Sequence, residues 1–199
     1  MTDAIAIDYV LRQAFLFMEV TPPTSFGDDS PKANDAAAVY DAALDTTLEG
    51  YDWSFARRVV SLAEYDPKPP DIADPELPYT VQLPDDCLAL RKVYVSSCVR
   101  WRQDQRMIRL DTEPPVTVRY TFRNNKEKYL PRMFQTAIAG QLALLLAPKY
   151  VTTRAKQERL QTAVADAVSA AKTNDAHTAS STRIDGRPNS GDWATEAIW

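Results

Sequence analysis

The chain has 199 residues, 45% of them hydrophobic and 25% charged, which is the composition of an ordinary globular protein. Its formal net charge of −4 argues against a strongly basic nucleic-acid binder, because such proteins need excess Lys and Arg to displace counterions. The two cysteines, Cys87 and Cys98, lack metal-site and CxxC spacing, and the first ten residues lack a signal-peptide pattern. We therefore expect a protein of the reducing cytoplasm.

Three helices are predicted in the first third of the chain, because apolar residues recur there at helical spacing. Their expected bounds are Asp3–Val20, Asn34 or Asp35 to about Leu48, and Tyr51–Ala63. In the third helix, Trp53 and Phe55 are expected to pack in the core. Arg57 and Arg58 of the same helix are candidates for contact with a neighbouring subunit.

A small antiparallel sheet is predicted after a connection rich in Pro and Asp. Short runs of alternating apolar and polar residues, separated by turns, are typical of strands that pair as hairpins. The predicted strands are Tyr79–Leu83, Ala89–Val99, Met107–Leu110 and Val116–Phe122. The run Trp101–Gln105 is expected to be a polar turn between them.

The segment Lys126–Ala147 is predicted to be the central helix, because its second half is apolar on almost every side. A membrane span is the rival interpretation. The apolar run is much shorter than the ~20 residues that a bilayer needs, and polar residues interrupt it. A fifth helix is predicted from Thr152 or Thr153 to about Ala176, antiparallel to the central one. Its Arg154 and Arg159 are further candidates for a subunit interface.

The composition changes near His177, after which the chain is polar and shows no periodicity. This arm nevertheless contains Trp193, Ile198 and Trp199, and large apolar side chains on such an arm often dock in the pocket of a partner. The alternatives are an arm that folds back onto its own domain and one that is disordered.

Few residues suggest catalysis. The only histidine, His177, stands at the start of the arm, and no Rossmann, Walker or HExxH motif is present. We therefore predict no catalytic, cofactor or metal site, and no enzyme activity. A small hydrolase that uses Cys87 or the Asp85–Asp86 pair is the alternative considered.

A group of arginines surrounds Trp101 in the predicted sheet. Its members are Arg100, Arg102, Arg106 and Arg109. Arginines interleaved with aromatic residues can bind nucleic acid, and they can equally form ion pairs between subunits. We favour the ion pairs and keep a nucleic-acid-binding module as the alternative function.

The order of several short motifs resembles the head-to-tail adaptor proteins of tailed bacteriophages. These are the tail tubular protein A group and related adaptors of gene transfer particles. The motifs are Trp53-Ser54-Phe55-Ala56-Arg57-Arg58, Leu83-Pro84-Asp85-Asp86-Cys87, Tyr129-Leu130-Pro131 followed by Phe134, and the alanine-rich helix from Leu160 to Ala176. The similarity covers about residues 3–176.

The resemblance implies a structural protein of the virion, located at the neck and assembled in the host cytoplasm. Such adaptors form a homo-oligomeric ring, usually of twelve copies, beneath the capsid portal. The ring extends the DNA channel and carries the next tail component, which is a nozzle, a stopper or a tail terminator. The arm would dock on the portal through Trp193, Ile198 and Trp199. DNA would pass through the lumen without sequence-specific binding, close to Arg100, Arg102 and Arg106.

The predicted fold is therefore α+β and mainly α, a bundle of about five helices with one inserted sheet. Residues 1–177 would form the adaptor body, with the sheet in 78–122, and residues 178–199 would form the docking arm. No membrane contact and no cofactor are expected.

Overall fold

The computed structural model describes residues 4–65, 74–124 and 129–178, without the side chains of residues 4–7. These residues fall into two compact units. A helical unit comprises the described parts of 1–55 and 125–199, and a β unit comprises those of 56–124. The described chain holds four α-helices and six β-strands.

The helical unit is built around one buried helix. Its helices are α1 (Ala4–Phe17), α2 (Pro31–Glu49), α3 (Arg132–Tyr150) and α4 (Arg154–Thr178). Each of the other three packs against α3, which therefore buries residues on nearly every side, as expected for the central helix. Its described start is Arg132 rather than Lys126, and residues 125–128 lie outside the described ranges.

A glycine allows α3 and α4 to approach closely. A Cβ atom added at Gly140 would lie 2.9 Å from Cγ1 of Val164 on α4, which is closer than real Cβ contacts. Val164 is itself buried and branched at Cβ, so its side chain has little freedom to move away. The absence of a side chain at position 140 therefore sets the spacing of the two helices.

Local hydrogen bonds move the first two helix ends away from their predicted positions. Helix α1 ends at Phe17 because Glu19 takes a left-handed conformation with φ of 58°. The amide of Val20 then donates to the carbonyl of Phe15 at 2.9 Å, as in a Schellman motif. Helix α2 starts earlier than predicted, since the Ser30 side chain accepts the amide of Ala33 and Pro31 occupies the first turn.

The predicted third helix is wrong. The 3₁₀ turn Ser54–Ala56 is followed by strand β1 (Arg57–Leu62), which pairs antiparallel with a strand about sixty residues later in the chain. Val59 and Val60, branched at Cβ, suit a strand better than a helix. The bundle of about five helices with one small sheet is thus replaced by four helices and two sheets among the described residues.

The β unit contains two three-stranded antiparallel sheets rather than one. The first has the order β1-β6-β3 and the second the order β2-β5-β4. The remaining strands are β2 (Tyr79–Gln82), β3 (Cys87–Tyr94), β4 (Trp101–Asp104), β5 (Met107–Leu110) and β6 (Val116–Phe122). The run predicted as a polar turn is strand β4, and the actual turn begins at Gln105, whose φ is 56°.

Residues from both sheets share one hydrophobic core. Val93 and Val118 belong to the first sheet, and Val81, Ile108 and Leu110 belong to the second. Alternate residues along a strand point to opposite faces, so each sheet contributes one apolar face to this core.

Candidate functional site

The predicted basic group lies on and beside the β4–β5 hairpin, and its exposed arginines are paired with carboxylates. The charged atoms of these pairs are 2.9–3.4 Å apart. The pairs are Arg100–Glu76, Arg100–Asp111, Arg102–Asp74, Arg102–Asp104 and Arg106–Asp85. A phosphate backbone would have to compete with carboxylates already in place, so this surface is less electropositive than its number of arginines alone suggests.

Arg109 differs from the rest of the group because it is buried, with 1% of its side chain exposed. Its Nε atom is 2.7 Å from Oδ2 of Asp104, and Nη2 of Arg102 donates a hydrogen bond to the same oxygen at 3.0 Å. Arg102, and to a smaller degree Arg109, lower the pKa of Asp104 below its usual range. Asp104 therefore joins a surface arginine to a buried one, and Arg109 cannot reach an external phosphate.

The residues of the hydrolase alternative have structural partners. Asp86 accepts a hydrogen bond from the Tyr120 hydroxyl at 3.0 Å and forms an ion pair with Arg58. Burial is the main cause that raises the pKa of Cys87 to about 11. Cys87 is therefore a thiol at neutral pH, whereas a reactive cysteine needs the thiolate.

The four arginines proposed for subunit contacts lie in different units. Arg57 and Arg58 are exposed on β1, and the Arg58 guanidinium lies 3.9 Å from the centre of the Phe122 ring. Arg154 and Arg159 are exposed near the start of α4. Two of the four therefore lie on the β unit and two on the helical unit.

Two helices of the helical unit carry charge of the sign that their ends disfavour. Helix α4 begins with Arg154 and Lys156 and has no acidic residue in its first turn. Helix α2 ends with Asp45 and Glu49 and has no basic residue in its last turn. The partial positive charge at a helix N-terminus repels cations, and the partial negative charge at a C-terminus repels anions. At the start of α4, carboxylates of the same chain already offset part of this charge, since Arg154 pairs with Glu158 at 2.9 Å and Lys156 pairs with Glu19 at 2.6 Å.

The end of α3 is attached to the start of α2 through Asp35. The Lys149 ammonium and the Tyr150 hydroxyl both donate to its carboxylate, and these bonds lower the pKa of Asp35. Burial, together with the nearby carboxylate, raises the pKa of Tyr150 to about 12. This cluster ties the helices together although Pro148 stands in the last turn of α3.

A buried carboxylate that the sequence did not reveal lies near the end of α4. Asp175 is 6% exposed and accepts hydrogen bonds from the Ser54 amide at 3.0 Å and the Ser54 hydroxyl at 2.6 Å. The partial negative charge at a helix C-terminus disfavours an acidic residue in the last turn. This unfavourable position is the sequence feature that could have indicated a specific role for Asp175. The bonds fasten α4 to the segment that follows α2.

A groove of about 150 Å³ opens beside Asp175. Its walls include the rings of Trp53, Phe55 and Phe134, whose centres are 4.8–5.9 Å apart. Its rim includes the half-exposed Met133 and the exposed Asn174 and Thr178 of α4. The groove is mostly apolar, with the Asp175 carboxylate as an acceptor within it.

The predicted docking residues Trp193, Ile198 and Trp199 lie outside the described residues. His177 is exposed in the last turn of α4. Among the described residues, no cluster of His, Cys, Asp and Glu could hold a metal ion. In the same ranges, no helix has the length and apolar character to span a bilayer.

No protein-family model matches this chain. No curated protein matches its sequence either.

Proposed function

We propose that the chain is a structural head-to-tail adaptor, which forms a ring beneath the capsid portal. The ring extends the DNA channel and carries the next tail component, a nozzle, a stopper or a tail terminator. It belongs to the neck of the virion, is assembled in the host cytoplasm and performs no catalysis. The motif order that resembles phage adaptors suggests this role, and the charges of α2 and α4 provide the structural support for it.

A closed ring needs two different, complementary surfaces on each copy, because one face of a subunit must meet another face of the next. The acidic end of α2 and the basic start of α4 meet this requirement. Four carboxylates and one lysine lie on α2, whereas three of the first six residues of α4 are basic. In addition to the pairs Arg154–Glu158 and Lys156–Glu19 within the chain, contact between copies would place further charge of the favoured sign beside each helix end. Each such interaction contributes about 0.3–1 kcal/mol.

The outward surface of α4 fits the same arrangement. This helix has 25 residues, and those buried along it are Leu160, Val164, Ala171 and Asp175. Much of its remaining surface consists of short polar and alanine side chains, which allow another helix to pack closely. We assign this exposed surface near Arg154 and Arg159 to the interface between neighbouring copies.

The paired arginines of the β unit fit a passive role toward DNA. Arg100, Arg102 and Arg106 would lie near the channel while their carboxylate partners limit binding to phosphates. The alternative of a nucleic-acid-binding module predicts affinity that falls steeply with salt. Binding of that kind by the purified chain would favour the alternative.

A charge exchange tests the ring interface. Arg159→Glu and Glu49→Arg should each reduce ring formation on a purified portal, because each places like charges together. The double variant should restore it, because the pair is re-formed with reversed signs. Ring formation is measured by sedimentation of the chain mixed with the portal.

Lys92→Glu serves as the matched control for Arg159→Glu, since it makes the same charge change at an exposed position of the β unit. This variant should form rings like the natural chain. Equal loss in all three single variants would show a general charge effect. Intact rings in both Arg159→Glu and Glu49→Arg would refute the assigned interface.

A further inference from the structure

The groove beside Asp175 has the chemistry of a binding site for an indole ring. Three aromatic rings and the Met133 side chain line it, and aromatic rings and thioethers both pack favourably against a further aromatic ring. A buried indole N–H needs an acceptor, and the Asp175 carboxylate supplies one. The volume of about 150 Å³ is well above the ~10–15 Å³ that one water molecule requires.

The chain itself carries a suitable occupant. Thr178, the last described residue, lies on the rim of the groove, and Trp193 follows it by fifteen residues. That length of chain can span roughly 50 Å when extended, so Trp193 can return to the groove without a long reach. Binding within one chain also benefits from a high effective concentration.

We infer that, in the unassembled chain, the side chain of Trp193 occupies this groove of its own molecule. Trp193 is preferred to Trp199 because it lies fifteen rather than twenty-one residues beyond Thr178 and so closes the shorter loop. Ile198 and Trp199 stay available for the portal. Trp193 is covered until assembly, and on the proposed adaptor it is released when the arm docks.

Fluorine NMR of the free full-length chain, labelled with 5-fluorotryptophan, tests this directly. The chain has four tryptophans, and single Trp→Phe variants assign their signals. The change in chemical shift of each fluorine signal between H₂O and D₂O reports how far that tryptophan ring is exposed to solvent. Trp53, which is 1% exposed, provides the buried reference, and Trp101, which is 43% exposed, provides the open one.

In the natural chain, the Trp193 signal should resemble that of Trp53, and the Trp199 signal should resemble that of Trp101. Met133→Glu, which places a charge on the rim, should make Trp193 resemble Trp101. Leu145→Glu is the matched control, because Leu145 is also on α3, is similarly exposed at 41%, and lies outside the groove. It should leave Trp193 unchanged.

Asn174→Arg, on the opposite rim, repeats the test if Met133→Glu disturbs folding, which the Trp53 signal would show. An exposed Trp193 in the natural chain would overturn the inference, as would a Trp193 signal that neither rim variant moves. Shielding that appears only at high protein concentration would assign Trp193 to the groove of another copy and would also overturn it. The portal is absent from this experiment, so its failure leaves the adaptor proposal standing.

Discussion

Asp175→Ala tests whether the buried carboxylate fastens α4 to the segment after α2. The substitution removes the acceptor of the Ser54 amide and hydroxyl, at 3.0 and 2.6 Å. A hydrogen bond to a charged group contributes about 1.5–3 kcal/mol to stability. Removing a carboxylate from the last turn of a helix increases the free energy of unfolding by about 0.3–1 kcal/mol, because it removes repulsion by the helix dipole. Because the two bonds share one acceptor and one partner residue, we predict a net loss of about 1–3 kcal/mol.

The free energy of unfolding is measured by urea denaturation followed by far-ultraviolet circular dichroism. For a chain of this length, each kcal/mol should also lower the melting temperature by about 2–4 °C. Ser54→Ala should cost less than Asp175→Ala, because it removes the hydroxyl bond and keeps the amide bond. Asp166→Ala, at an exposed position on the same helix, should change stability by about 0.5 kcal/mol or less. Equal stability of Asp175→Ala and Asp166→Ala would refute the fastening role.

Three further predictions concern other contacts. Gly140→Ala should lower stability by about 1 kcal/mol, because overpacking against Val164 outweighs the gain in helix propensity. In a Val164→Ala background this cost should disappear in thermal unfolding, and an unchanged cost would contradict the close approach. Iodoacetamide at mildly alkaline pH should modify Cys98 before Cys87, whose raised pKa of about 11 reduces the thiolate about 100-fold from the usual value. Equal rates by mass spectrometry would contradict this. Asp35 has a lowered pKa, so its stabilising effect is present above the usual value of 3.8 and is lost as pH falls through the lowered one. Asp35→Asn should therefore be less stable at neutral pH and lose less stability in acid, as measured by urea midpoints. An equal loss of stability in acid for Asp35→Asn and the natural chain would refute this.

Hydrophobic periodicity correctly predicted elements whose conformation depends mainly on residues close together in the sequence. The apolar character of α3 on all sides indicated its central position, and the alternation in Val116–Phe122 indicated a strand with the observed bounds. The interval Arg57–Leu62 is different, because its strand conformation depends on pairing with β6, far along the chain. Its apolar residues also fit a helical period, so the sequence could not distinguish the two structures.

The sequence predicted which residue types occur at the candidate sites. It predicted much less about their burial and their bonding partners. The sequence placed the arginines near Trp101, and the favoured interpretation was ion pairing between subunits. The pairs that the structure shows lie within one chain, so pairing between subunits stays a prediction. It could not show that Arg109 is buried while Arg102 is exposed, since strand direction and sheet packing decide that. Asp175 escaped notice because its partner, Ser54, lies 121 residues away. Contacts between distant parts of the chain thus account for most of the differences.

Electron microscopy of the purified portal mixed with this chain tests the central claim most directly. We predict class averages in which a ring of copies extends the channel below the portal. Arg159→Glu should abolish this extra density, and the Arg159→Glu, Glu49→Arg double variant should restore it. A portal that stays bare beside monomeric chain, at concentrations where both proteins are folded, would contradict the adaptor role.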